Sequence, residues 1–133
     1  MSTSDDLQAW LALEHEAVWL YGVIGARLSG LSEAARTSFD AHRAVRDGLR
    51  AQVSDAGGQP VGPALTYGDE LIDTRSSARR AARDVEERIA AACLALFGGT
   101  GTDGRRFAMA GLRRAALAAL GWGADPIAFP GLD

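Results

Sequence analysis

Leu13-Glu14-His15-Glu16-Ala17-Val18-Trp19-Leu20-Tyr21 is the stretch on which the reading of this chain turns, because it sets a carboxylate inside an apolar helical pattern. Leu7, Leu11, Glu14, Val18, Tyr21, Gly25 and Leu28 follow one another at spacings of three and four, which puts Glu14 on the buried stripe of a helix. A lone charge there is costly to desolvate, so a group of opposite charge must face it. Outward from this centre the helix begins at a cap on Thr3 or Ser4 and runs to about Ser29, where Gly30 ends it. Trp10, Leu13, Leu20 and Ile24 form a second apolar stripe, and Trp19 and Val23 lie off both. A helix apolar on most sides is either central or at an interface. The expectation is a homodimer through this helix with Trp19 as its anchor.

The chain of 133 residues has room for one domain, 1–133, and not for two. Its 47% hydrophobic and 23% charged residues fit a globular protein, and no apolar run nears the ~20 residues of a membrane span. No membrane partner is expected. Met1-Ser2-Thr3-Ser4-Asp5-Asp6 lacks the basic head and apolar middle of a secretion signal, so the expected location is cytoplasmic. The single cysteine, Cys93, excludes an intrachain disulfide framework and a cysteine-based metal site. All 14 basic residues are arginine, and the net charge of −3 gives no general attraction to nucleic acid. Arg75, Arg79, Arg80 and Arg83 make one local basic face, read as solvated, with Asp84 and Glu87 spaced to pair with Arg80 and Arg83.

The second helix is expected from Ser32 to about Ala56, with Ala35, Phe39, His42, Val45 or Arg46, Leu49 and Val53 facing inward. Segment 57–73 carries Pro60 and Pro63 with Gly62, Gly68 and Asp69 and has no helical period. So long a link has a geometric use: ~16 extended residues reach ~50 Å, more than the ~37 Å length of a 25-residue helix. It can start the third helix at the far end of the molecule. That helix runs from Asp73 or Thr74 to Phe97, with Ala82, Val85, Glu86, Ile89 and Cys93 inward; Glu86 is the favoured inward carboxylate and Glu87 the alternative. The fourth is capped by Thr102 or Asp103 and closes at Gly121, and the tail 122–133 lies extended with Ile127 and Phe129 covering an edge. Two short-looped hairpins joined by a long crossover define an all-α, ferritin-like antiparallel four-helix bundle.

The two halves align without a gap inside each helix. Glu14 then answers Glu86, His42 answers Ala110, and Arg46 answers Arg114. Di-metal bundles take a Glu from one helix of each half and Glu-x-x-His from the other. Here Phe39 and Phe107 occupy the two Glu positions of those motifs, and Ala110 replaces one His. Glu14, His42 and Glu86 remain, enough to hold one iron, manganese or zinc ion. The competing arrangement answers the two carboxylates with Arg46, Arg114 and His42, so that a cationic side chain stands where a metal would.

The run Leu13 to Gly22, the segment Ala41-His42-Arg43-Ala44-Val45-Arg46-Asp47, the acidic Val85-Glu86-Glu87-Arg88 and the closing Phe129-Pro130-Gly131-Leu132 resemble the uncharacterised ferritin-like domain family of actinobacteria. The resemblance implies a ferritin-like bundle and no established activity. Departure at both Glu-x-x-His motifs argues against iron oxidation or storage. The expected function is therefore that of a non-catalytic, dimeric structural or interaction protein with a degenerate metal site and no bound cofactor. The alternative is a metal-binding protein using Glu14, His42 and Glu86.

Overall fold

Ser2 and Asp5 decide where the first helix begins. The Ser2 hydroxyl accepts the Asp5 backbone N–H at 3.1 Å, and the Asp5 carboxylate accepts the Ser2 backbone N–H at 3.1 Å. This reciprocal box satisfies donors that the first turn cannot pair internally, and it places the cap one residue before Thr3. In the computed structural model, which describes residues 2–68 and 71–125, helix α1 then spans Thr3–Arg27. A single 3₁₀ turn at Ser29–Leu31 replaces the expected last residues of that helix and leads directly into α2, Ser32–Asp55. Helix α2 stops where Gly57 takes φ +86° and the Gly58 N–H returns to the Val53 carbonyl at 2.9 Å, a conformation that costs glycine least. Helix α3, Arg75–Gly99, opens on a second capping box between Thr74 and Ser77. Helix α4, Thr102–Gly121, follows Gly101, which offers no capping side chain. No strand occurs among the described residues.

Small residues and matched contacts set the packing. Ideal Cβ positions on Gly25 and Gly22 would lie 3.6 Å from Ala35 and from Phe39, so α1 and α2 run antiparallel at close approach. The Thr3 hydroxyl donates to the Gly99 carbonyl at 2.9 Å, while Glu16 pairs with Arg88, so α1 and α3 are antiparallel too. Arg105 stacks over Phe97, completing an antiparallel α3–α4 pair. Helix α1 thus lies against both α2 and α3, whereas α2 and α4 barely meet. This placement uses up the apolar sides of α1: Leu7, Trp10, Leu11, Leu20, Tyr21 and Ile24 are all buried within the chain.

The link after α2 follows α1 along its length. Gln8 donates to the Gln59 carbonyl at 2.7 Å and accepts the Val61 N–H at 2.9 Å. The His15 ring meets the Val61 carbonyl at 2.9 Å, and this side chain is buried. Further on, Tyr67 packs on Trp19 with ring centroids 5.4 Å apart. Beyond α4, Trp122 is buried and stacks on Tyr21 at 5.7 Å, with its carbonyl accepting from Arg83 at 3.0 Å. Ile127 and Phe129, expected on an edge, lie outside the described residues.

Gly111 marks the tightest approach of α4. An added Cβ would sit 2.5 Å from the Trp10 ring and 2.8 Å from the Cys93 sulfur, and Trp10 is fully buried and cannot swing away. Gly111→Ala gains up to ~1 kcal/mol of helix propensity but overpacks at a cost of ~1–3 kcal/mol. The expected outcome is net destabilisation, read as a lower urea midpoint with an unchanged slope.

Candidate functional site

Three helices each bring one polar side chain to a common level. Glu14 on α1 is 1% exposed, Glu86 on α3 is 0% exposed and His42 on α2 is 6% exposed. The imidazole of His42 lies between the two carboxylates, with Nδ1 2.5 Å from Glu14 Oε1 and Nε2 2.8 Å from Glu86 Oε2. Both ring nitrogens face acceptors that a neutral imidazole could satisfy only on one side, so the arrangement calls for the doubly protonated ring. Burial by itself pushes the His42 pKa down. Hydrogen bonds to Glu14 and then Glu86, reinforced by their charges, outweigh it and raise the value to about 9.

Two aromatic side chains complete the cluster. Trp10, one helical turn before Glu14, donates its indole N–H to Glu14 Oε2 at 2.8 Å. The Tyr21 hydroxyl donates to Glu86 Oε2 at 2.5 Å, and its ring stacks on His42 at 5.4 Å and 14°. Burial, then the charge of Glu86, pushes the Tyr21 phenol well above its ordinary value, so it stays a donor. Glu14 therefore has one donor on each oxygen. Glu86 receives two on Oε2, while its buried Oε1 has no partner among the described residues. Cys93 lies nearby, and burial followed by the field of Glu14 holds it as a thiol, with Arg114 partly offsetting the shift. A buried, protonated thiol of this kind is not a ready nucleophile.

The remaining sequence candidates lie elsewhere. Arg46 pairs with Asp47 at 3.0 Å, and Arg114 is half-buried beside the cluster. The side chains that hydrogen-bond to Glu14 and Glu86 are Trp10, His42 and Tyr21. Phe107 packs on Trp10 at 5.0 Å, and Phe39 lies under Gly22. Trp19 is 39% exposed and rests on Tyr67. On the neighbouring face Arg88 bridges Glu16 and Asp84, so Asp84 serves Arg88 across one turn. Arg83 is drawn instead to the Trp122 carbonyl. Trp10 had a legible signal, four residues from Glu14. The bond from Tyr21 to Glu86 had none, since it joins residues 65 apart.

A metal ion needs donor lone pairs converging on one point at ~2.0–2.2 Å. Here the imidazole itself stands between the carboxylates, with its two nitrogens directed apart at them. As arranged, the three residues do not fit an ion, and no group of three or more His, Cys, Asp or Glu side chains among the described residues is set to hold one.

The family model described as "Domain of unknown function (DUF4439)" matches residues 6–133. The chain belongs to the DUF4439 family. This DUF4439 chain is also similar in structure to a conserved hypothetical protein, rv2844, from Mycobacterium tuberculosis. The two are 28% identical with a TM-score of 0.83, over 94% of this chain and 93% of that one. No curated protein matches the sequence significantly.

The bridge makes stability depend on pH in a defined direction. The folded-state pKa of His42, about 9, lies above its ordinary 6.5, so its contribution is fully present below pH ~6.5 and is lost as pH rises through ~9. The shift corresponds to about 3 kcal/mol. Urea unfolding across that window is expected to show the decline, and His42→Ala to remove it. By leaving buried carboxylates unanswered, that variant also loses ~3–5 kcal/mol at neutral pH.

Proposed function

We propose that this DUF4439 domain is a ferritin-like four-helix bundle in which an imidazolium replaces the metal centre, and that it acts as a non-catalytic structural or interaction protein. The observation that carries this reading is His42, held by both ring nitrogens between Glu14 and Glu86 at 2.5 and 2.8 Å. In that position a protonated side chain supplies the positive charge that bound iron or manganese supplies in a di-metal bundle. Two phenylalanines, Phe39 and Phe107, stand at the positions where further carboxylate ligands would be needed. The link that follows α1 from Gln8 to Trp19 supports the long crossover that such a bundle requires. On this reading Arg46 and Arg114 are an outer layer of positive charge on α2 and α4.

A second reading rests on one atom. Glu86 Oε1 is buried without a partner, and an iron, manganese or zinc ion could take it together with Glu14 and His42 if the imidazole lost a proton and turned. Nitrogen-15 NMR of the His42 ring separates the two. The bridge predicts two protonated nitrogens at pH 7 in protein prepared with or without added Mn²⁺, Fe²⁺ or Zn²⁺. Stoichiometric metal by elemental analysis, lost in Glu14→Ala together with a deprotonated His42 nitrogen in the wild type, would establish the metal site instead.

Trp19 supplies the candidate dimer contact: it is half-exposed on α1 beside Tyr67, and a rigid aromatic pair of this kind makes a good interface anchor. Sedimentation at micromolar concentration is expected to give a dimer that Trp19→Ala dissociates. A wild-type monomer would remove the assembly from this reading.

A further inference from the structure

Helix α4 carries Arg105, Arg106, Arg113 and Arg114 against a single acid, Asp103, in a chain whose net charge is −3. None of the four arginines forms an ion pair with a carboxylate among the described residues; Arg105 lies instead over the Phe97 ring at 5.5 Å. Ala108, Gly111, Leu112, Ala115 and Ala119 face inward. The opposite stripe, Arg106, Met109, Arg113, Leu117 and Leu120, advances by three or four residues and so shares one face. On it Met109 is 40% exposed, Leu117 62% and Leu120 41%. Because α4 packs chiefly on α3 and barely meets α2, that stripe is left uncovered among the described residues.

The charge of the stripe selects an anionic partner, and its apolar side chains narrow the choice. Nucleic acid is gripped by basic and polar groups and would leave Leu117 and Leu120 in water. A second copy packed on this stripe by a two-fold axis would set its Arg106 and Arg113 against the same arginines, a like-charge contact that opposes association. A surface that receives aliphatic side chains while its own negative charge meets flanking arginines is the headgroup layer of an acidic bilayer. Met109 to Leu120 covers about 16 Å along the helix, enough for three apolar insertions in line. Among the described residues no helix is long and apolar enough to cross a membrane, and lying on one requires no such helix. We propose that the outer face of α4 is a docking surface for anionic phospholipid, with Met109, Leu117 and Leu120 inserted and Arg106 and Arg113 on the headgroups. The surface is independent of the buried bridge.

The test is co-sedimentation of the purified chain with vesicles of equal phosphatidylglycerol and phosphatidylcholine, against vesicles of phosphatidylcholine alone. Pelleting with the acidic vesicles only, weakened by added salt, is the expected result. Arg106→Gln with Arg113→Gln should lower the partition coefficient about fivefold per arginine removed. Leu117→Ser with Leu120→Ser should lower it as well, each variant being first shown by circular dichroism to stay helical. Failure of the wild type to pellet would overturn the proposal. So would serine variants that bind undiminished, which would mean charge adsorption alone, or retention on a DNA duplex in place of vesicles.

Discussion

A positive imidazole ring caught between two buried carboxylates is the constraint around which the interior of this domain is arranged. Neither Glu14 nor Glu86 can reach solvent, so each depends on donors from other helices. His42 serves both, and in doing so ties α2 to α1 and α3 at one level. Such an ionic bridge need not exceed the stability of well-packed apolar residues, because desolvation offsets much of the attraction. What it does impose is register. Sliding α1, α2 or α3 by one turn would move a carboxylate or the imidazole by about 5.4 Å and strand the others without partners.

One small residue lets the aromatic shell form: Gly111 admits the Trp10 ring beneath α4, where a Cβ would collide with it. Trp10 is thereby positioned to donate to Glu14, and Tyr21 is held by stacking on His42 and Trp122 while it donates to Glu86. The aromatic shell and the charged centre are thus one unit, in which packing sets the hydrogen bonds and the hydrogen bonds fix the rotamers. Among the described residues its one unmatched atom is Glu86 Oε1, the point at which the centre departs from full satisfaction.

Against this rigid interior, the outer surfaces are chemically divided. The link beside α1 carries the Trp19 and Tyr67 pair and the network of Glu16, Arg88 and Asp84. Helix α4, packed chiefly on α3, carries arginines without carboxylate partners among the described residues and three exposed aliphatic or thioether side chains. On the proposed reading these faces, rather than the centre, are the ones that meet other molecules.

The sequence by itself determined the helices, their approximate ends and the inward placement of Glu14 and His42, because a period of three and four residues is a local property of the chain; between Glu86 and Glu87 it left a choice that the burial of Glu86 resolves. It also indicated that a charge would have to answer those carboxylates, since the cost of burying them alone does not depend on the details of the fold. Which cation answers could be decided only in three dimensions. Arg46 and Arg114 share helix faces with His42 and Ala110, yet Arg46 turns to the adjacent Asp47 and the imidazole alone fits between the carboxylates. The helix ends differ in detail: Ser2 caps α1 rather than Thr3 or Ser4, through its local box with Asp5, and a 3₁₀ turn occupies Ser29–Leu31. The contact of Tyr21 with Glu86 and the uncovered stripe of α4 likewise depend on distances between helices, and no periodicity along a single chain encodes those.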